Sequence, residues 1–203
     1  MSELRVALTF DAEHPSRATH RPGADVGILD VLGRAGVRAT FFLQGRWASA
    51  YPAVARRVVE DGHVVGNHSH HHAPMTLLSA EGIRVDVRRS AERIGEITGA
   101  DPRPWFRCPF GEGADDPAVL GELRDLGYRN VPWTIDPGDW QESVSPSDVA
   151  SAVVDGLGSS PGDAIVVFHT WPGGTPEALG LMLDRLVSDG AMFVTAPEIL
   201  DAA

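Results

Sequence analysis

The sequence predicts an α/β fold, a distorted (β/α) barrel with about seven parallel strands. Three observations carry this. Short apolar runs recur along the chain and alternate with longer stretches of helical period. Capping residues followed by Pro open those stretches, and Gly closes them. No Gly-rich dinucleotide loop follows the first apolar run, which favours a barrel over an open doubly wound sheet.

The strands are expected at residues 6–10, 39–43, 64–67, 105–106, 130–133, 164–168 and 192–194. Asp116 before Pro117, Ser145 before Pro146 and Thr175 before Pro176 each set a capping side chain ahead of a Pro in the first turn. Ser145 with Asp148 resembles a capping box with a shorter acid. Gly36, Gly62, Gly99, Gly127 and Gly190 fall where left-handed C-caps belong. The longest helix should run from about Ala80 to Thr98, with Ile83, Val87, Ile94 and Ile97 as its buried stripe.

At 203 residues and 43% hydrophobic content, the chain fits one domain over residues 1–203 with a full core. A formal charge of -11 argues against nucleic acid as a partner and against docking on an anionic membrane. Cys108 is the only cysteine, so no disulfide framework exists, and it reads as a small buried packing residue. No apolar run is long enough to span a bilayer and no signal-peptide pattern precedes the first strand. A cytoplasmic protein is the expectation.

Chemistry-bearing residues collect where strands end, the place where such folds build their sites. Four His stand among the five residues from His68 to His72. At i and i+4, His68 and His72 would share a face on one helical turn and grip one divalent ion; a solvated His-rich loop is the plain alternative. Asp11 and Glu13 follow the first strand, where a carboxylate can activate a water or ligate a metal, or simply cap a loop. Arg107 can pair with a catalytic carboxylate and keep it ionised, or form a structural salt bridge. Asp139 and Trp140 close a turn-rich segment, Asp136-Pro137-Gly138-Asp139. His169 follows a fully apolar strand and is a credible general acid if Asp139 lies beside it.

Taken together and in order, these segments resemble the polysaccharide deacetylase family, the NodB-homology or carbohydrate esterase family 4 domain. The resemblance runs from Thr9 to His169 and includes Ala39-Thr40-Phe41-Phe42-Leu43-Gln44-Gly45 as the second strand. It implies a NodB-like deacetylase fold, a distorted (β/α) barrel. It implies that His68 and His72 are metal ligands, that Asp11 is the base and that Arg107 tethers it. By the same resemblance Asp139 tunes His169, the general acid that protonates the leaving amine, and a backbone N–H near Phe110 faces the oxyanion. Phe110 stands where many members carry Tyr; with Trp140 it is a candidate substrate contact.

The first motif departs from the common Thr-Phe-Asp-Asp-Gly-Pro form, because Ala12 stands where the second Asp ligand belongs. A subset of the family reads Phe-Asp-x-Asp, and Glu13 occupies that later position, so Glu13 is expected to complete the ligand set, ahead of His14. Zinc is the expected divalent ion, with Co, Ni or Mn as other occupants. The implied reaction is removal of N-acetyl groups from an amino sugar or oligosaccharide, releasing acetate. Hydrolysis of another small amide or cyclic imide is the second reading, and a non-catalytic binding domain the third.

Overall fold

The computed structural model describes residues 4–16, 23–159 and 162–202 of the chain. Its elements run β1 (Arg5–Ala12), α1 (Ala24–Ala35), β2 (Thr40–Leu43), α2 (Gly45–Ala50), α3 (Pro52–Glu60), β3 (Val64–Asn67) and α4 (Ala80–Thr98). They continue with β4 (Trp105–Phe106), α5 (Pro117–Asp125), β5 (Arg129–Asn130), α6 (Pro146–Ser159), β6 (Ala164–His169), α7 (Thr175–Ser188), β7 (Met192–Val194) and α8 (Ala196–Leu200). The chain divides into two compact units.

The first unit carries β1 as far as Phe10, α1, and everything from Trp133 onward. Its strands lie in the order β7-β1-β6, and β1 runs parallel to β7 with Arg5 opposite Met192 and Ala7 opposite Val194. Val6, Ala7, Leu8 and Phe10 are all fully buried, as strands covered on both faces must be. Phe10 stacks on Phe168 with ring centroids 5.6 Å apart. Thr9 is buried too, and its hydroxyl donates to the Val166 carbonyl at 2.7 Å. Helix α7 packs against both α1 and α6, and Leu179, Met182, Leu183 and Leu186 are among its buried residues.

The second unit begins at Asp11 and resumes from Phe41 to Pro132. Strands β2, β3, β4 and β5 follow in spatial order, and β3–β4 and β4–β5 are parallel. Its core joins Met75, Ile83, Val87, Phe106, Val119, Leu123 and Tyr128, with Cys108 buried among them as expected. Gly66 makes room for a ring, since a Cβ there would lie 2.6 Å from Phe42 Cδ1. Phe42 in turn lies under the Arg107 guanidinium, 4.2 Å from Cζ to the ring centroid.

The helix expected at 80–98 is found with those bounds, started by Ser79, which accepts from Gly82 N, and stopped by Gly99 at φ 74. Ile83, Val87 and Ile94 are buried, but Ile97 is only half-buried. Asp116 caps α5 and Ser145 pairs with Asp148 as predicted. Two expectations are corrected. The strand placed at 130–133 ends at Asn130, because Pro132 has no N–H to extend a ladder. Thr175 does not cap α7: Gly174 occupies that position, and the Thr175 hydroxyl is committed elsewhere.

Candidate active site

In the second unit, β1 ends by delivering Asp11 and Ala12, and Glu13 follows directly. Ala12 and Glu13 are buried, and the Ala12 carbonyl accepts from Gln44 N at 2.9 Å, which ties this segment to the end of β2. Strand β3 delivers His68, and β4 delivers Arg107. The Nε2 of His68 lies 3.2 Å from Glu13 Oε2 and 3.1 Å from His72 Nε2, and His72 Nε2 also contacts Glu13 Oε2. One ligand atom each from Glu13, His68 and His72 lies within 4.8 Å of the others, with all three residues buried.

His68 and His72 do not sit on a helical turn, as their spacing suggested. They belong to an irregular loop in which Ser69 (φ 62) and His72 (φ 60) take the left-handed conformation. That conformation is uncommon for residues with a Cβ and persists where surroundings enforce it. The enforcement is visible. Asn67 Oδ1 accepts from Ser69 N at 3.0 Å, and Ser69 Oγ accepts from His72 N at 3.0 Å. Asp86, from the middle of α4, accepts from His70 N at 2.7 Å and His71 N at 3.2 Å. Ser90 Oγ donates to Ser69 O at 2.9 Å. His70 and His71 point away from the ligand triad, His71 Nδ1 lying 2.6 Å from Asp86 Oδ1.

The donor set fits a divalent cation. His68 Nδ1 lies 2.9 Å from the Arg107 carbonyl, which can only accept, so Nδ1 carries the proton and Nε2 offers a lone pair. The Nε2 atoms of His68 and His72 and the Oε2 of Glu13 all face one point, two nitrogens and one oxygen of the kind that zinc and related ions take. Burial works against a charge on His68, yet Asp11 and Glu13 outweigh it and push its pKa up. Burial also opposes ionisation of Glu13, but hydrogen bonds from His14, His68 and His72 hold its carboxyl well below the usual carboxylate range. Burial dominates at His72 and lowers its pKa, favouring the neutral ligand form. Two buried carboxylates beside two imidazoles make a place that attracts a cation.

Asp11 Oδ2 is 3.7 Å from His68 Nε2, beside the triad and outside it. Its other oxygen, Oδ1, accepts from Arg107 NH1 at 3.0 Å. Arg107 is fully buried, and burial lowers its pKa against the opposing pull of Asp11. Its Nε donates to the Val131 carbonyl at 3.0 Å, which fixes the guanidinium in register with Asp11. Phe110 is 60% exposed and takes φ 58, and its ring meets the His72 ring edge-on at 4.4 Å between centroids.

The first unit holds the remaining predicted residues. Asp139 Oδ1 accepts from His169 Nδ1 at 2.8 Å, and Oδ2 accepts from His169 N at 2.8 Å and from Thr175 Oγ1 at 2.9 Å. The Asp139 side chain is almost fully buried and the His169 ring is partly exposed. Asp139 therefore fixes the tautomer, with Nδ1 protonated. A cavity of about 790 Å³ adjoins the pair, lined in part by Asp139, Trp140, Gln141, Glu142, Trp171 and Thr175.

Sequence reasoning did not single out Asp86, Ser90 or Asn67, and it read Thr175 only as a helix cap. One signal was present: Asp86 and Ser90 interrupt the apolar face of α4 and are both buried, and a polar residue on a buried stripe needs a partner.

The family model described as Polysaccharide deacetylase matches residues 1–131. Peptidoglycan-N-acetylglucosamine deacetylase of Bacillus cereus is 30% identical over 206 residues, covering 100% of this chain and 70% of that protein. Among solved structures, wild-type BA3943 of Bacillus anthracis, described as a CE4 family pseudoenzyme, has a TM-score of 0.84 at 30% identity over 98% of this chain and 66% of its own. The Bc1960 peptidoglycan N-acetylglucosamine deacetylase has a TM-score of 0.84 at 29% identity, over 97% of this chain and 88% of its own. These likenesses bear out the α/β fold that the strand pattern predicts and the NodB-like form that the motif resemblance implies. The ordered motifs, the fold they share with these structures and the match over most of its length make this chain a member of the polysaccharide deacetylase family.

Proposed function

We propose that this chain is a metal-dependent hydrolase that removes N-acetyl groups from an N-acetylated amino sugar or oligosaccharide and releases acetate. The observation that carries the reading is the convergence of Glu13, His68 and His72 with Asp11 beside them, Asp11 in turn held by Arg107. Replacement of the usual Asp by Ala12 is thereby answered within the same loop, so the donor set is intact. Intact donors also speak against a binding-only role, although one structural relative is described as a pseudoenzyme.

Glu13, His68 and His72 would hold the ion, most readily zinc given two nitrogens and one oxygen donor. When bound, the ion supplies Lewis acidity toward the acyl oxygen and the attacking water. Asp11 accepts the proton lost by that water, and Arg107 keeps Asp11 ionised and aimed. By the family resemblance, His169, oriented by Asp139, would deliver a proton to the leaving nitrogen, so that the amide C–N bond breaks to an amine and acetate. The cavity near Trp140 suits a saccharide: an exposed indole face meets the apolar side of a sugar ring, and Gln141 and Glu142 offer partners for hydroxyls.

The test is acetate release from N-acetylglucosamine oligomers by protein stripped and then reloaded with Zn²⁺ or Co²⁺, beside an EDTA-treated control. Metal-dependent acetate supports the reading. A stoichiometrically loaded protein that releases none overturns the N-acetyl assignment and directs the same site to another amide or imide.

A further inference from the structure

We propose that His14 is a positioning residue of the metal centre: it donates from Nε2 to Glu13 Oε1 and so turns Oε2 toward His68 and His72. The inference rests on the metal-centre reading above and concerns what makes Glu acceptable as its carboxylate. Glu carries one more rotatable bond than Asp, so a Glu ligand must be immobilised before its oxygen is held in one place. It also has two equivalent oxygens that can both approach a cation.

The structure contains a device that answers both problems. Glu13 Oε1 lies 3.0 Å from His14 Nε2, while Oε2 faces His68 Nε2 at 3.2 Å. Neighbouring residues in an extended chain send their side chains to opposite faces, so an adjacent pair meets only if the backbone turns. His14 makes that turn with φ 52, a left-handed conformation that disagrees doubly with its place before Pro15, since such residues favour extended backbone. Gln44 holds the turn, its Oε1 accepting from His14 N at 3.2 Å. The His14 ring also meets the His72 ring edge-on at 4.5 Å, so it packs against one ligand while bonding another. His14 is not itself part of the ligand triad, which consists of Glu13, His68 and His72.

The experiment is calorimetric titration of the metal-stripped chain with Co²⁺, together with the visible spectrum of bound Co²⁺, which reports coordination number. His14→Asn and His14→Gly both tolerate a left-handed backbone, and thermal unfolding of the metal-free variants confirms that they fold. The expected result is a loss of about 10–100-fold in Co²⁺ affinity, the usual cost of removing a ligand's hydrogen-bond partner. Its companion is a fall in absorbance as a second carboxylate oxygen joins the ion. His14→Gln, whose amide also donates, should recover part of the affinity. Wild-type affinity and spectrum in both variants would overturn the role of His14 and leave the metal centre standing. If Glu13→Gln kept its affinity while His14→Asn lost it, His14 would be the ligand and the inference would fall. A wild-type chain that bound no Co²⁺ would sink the metal-centre reading and this inference with it.

Discussion

Arg107 and Asp11 stand 96 positions apart in the chain, and the guanidinium of one donates to the carboxylate of the other at 3.0 Å with both side chains buried. The same Arg107 holds His68 through its backbone carbonyl. One residue thus supports the proposed base with its side chain and a proposed metal ligand with its main chain.

Substitution separates the two supports. Arg107→Met should cost about 3–5 kcal/mol of stability, because it leaves the Asp11 carboxylate buried without its cation. Arg107→Lys keeps a charge but loses the planar fork that reaches both Asp11 and Val131. In the Lys variant kcat should fall about 10–100-fold while Co²⁺ affinity is retained, since the carbonyl at 107 remains. Steady-state kinetics beside metal titration checks this; equal loss of both would deny the division of labour.

Asp139 is the acceptor for three donors, His169 Nδ1, His169 N and Thr175 Oγ1. Asp139→Asn replaces one acceptor oxygen by an amide and disturbs the His169 tautomer. An amide substrate should lose about 10²–10⁴-fold in kcat, and an activated ester, whose leaving group needs no proton, far less. Thr175→Val should cost about 1.5–3 kcal/mol, the range for a hydrogen bond to a charged group, read from urea denaturation.

Gly45 is required by space. A Cβ there would stand 2.4 Å from His70 Nδ1 and 3.0 Å from the Ser90 Cα, against the loop that carries His68 and His72. Gly45→Ala should cost about 1–3 kcal/mol through overpacking and weaken Co²⁺ binding as the loop shifts. Gly33→Ala meets nothing within 4 Å and serves as the control, with metal affinity unchanged.

Burial pushes the Cys108 thiol up from 9.0 to about 12. At pH 8 it should react with a disulfide reagent no faster than the protein unfolds. The sign of the pH effect follows: the neutral thiol is the form favoured by folding, so its contribution is full below pH 9 and is lost as pH rises toward 12. The difference between wild type and Cys108→Ala in denaturation series above pH 9 isolates this thiol from other titrating groups.

Much of this architecture is legible along the chain because its causes are local. Ser79, Asp116 and Ser145 start helices with their own side chains, and Gly99 stops one with a left-handed φ. The strand calling for His68 at its end and the strand preceding His169 are apolar runs that any periodicity reading finds. The helical placement of His68 and His72 failed for a nonlocal reason. Asp86 and Ser90, reaching in from α4, outweigh the i, i+4 spacing and hold the loop in another shape.

The sequence by itself determined the α/β alternation, most helix boundaries and the residue types able to do hydrolytic chemistry, since caps, periods and motifs depend on neighbours a few positions away. Only the tertiary structure decided which of those residues meet. It brought Glu13, already expected from the motif resemblance, against His68 and His72 and bonded His14 to it, and it drew Thr175 from a helix cap to Asp139. The physical reason is that a hydrogen bond or ligand contact requires sub-ångström convergence of atoms that lie as much as 96 positions apart. Strand register and buried side-chain partners set that convergence, and neither is written in local spacing.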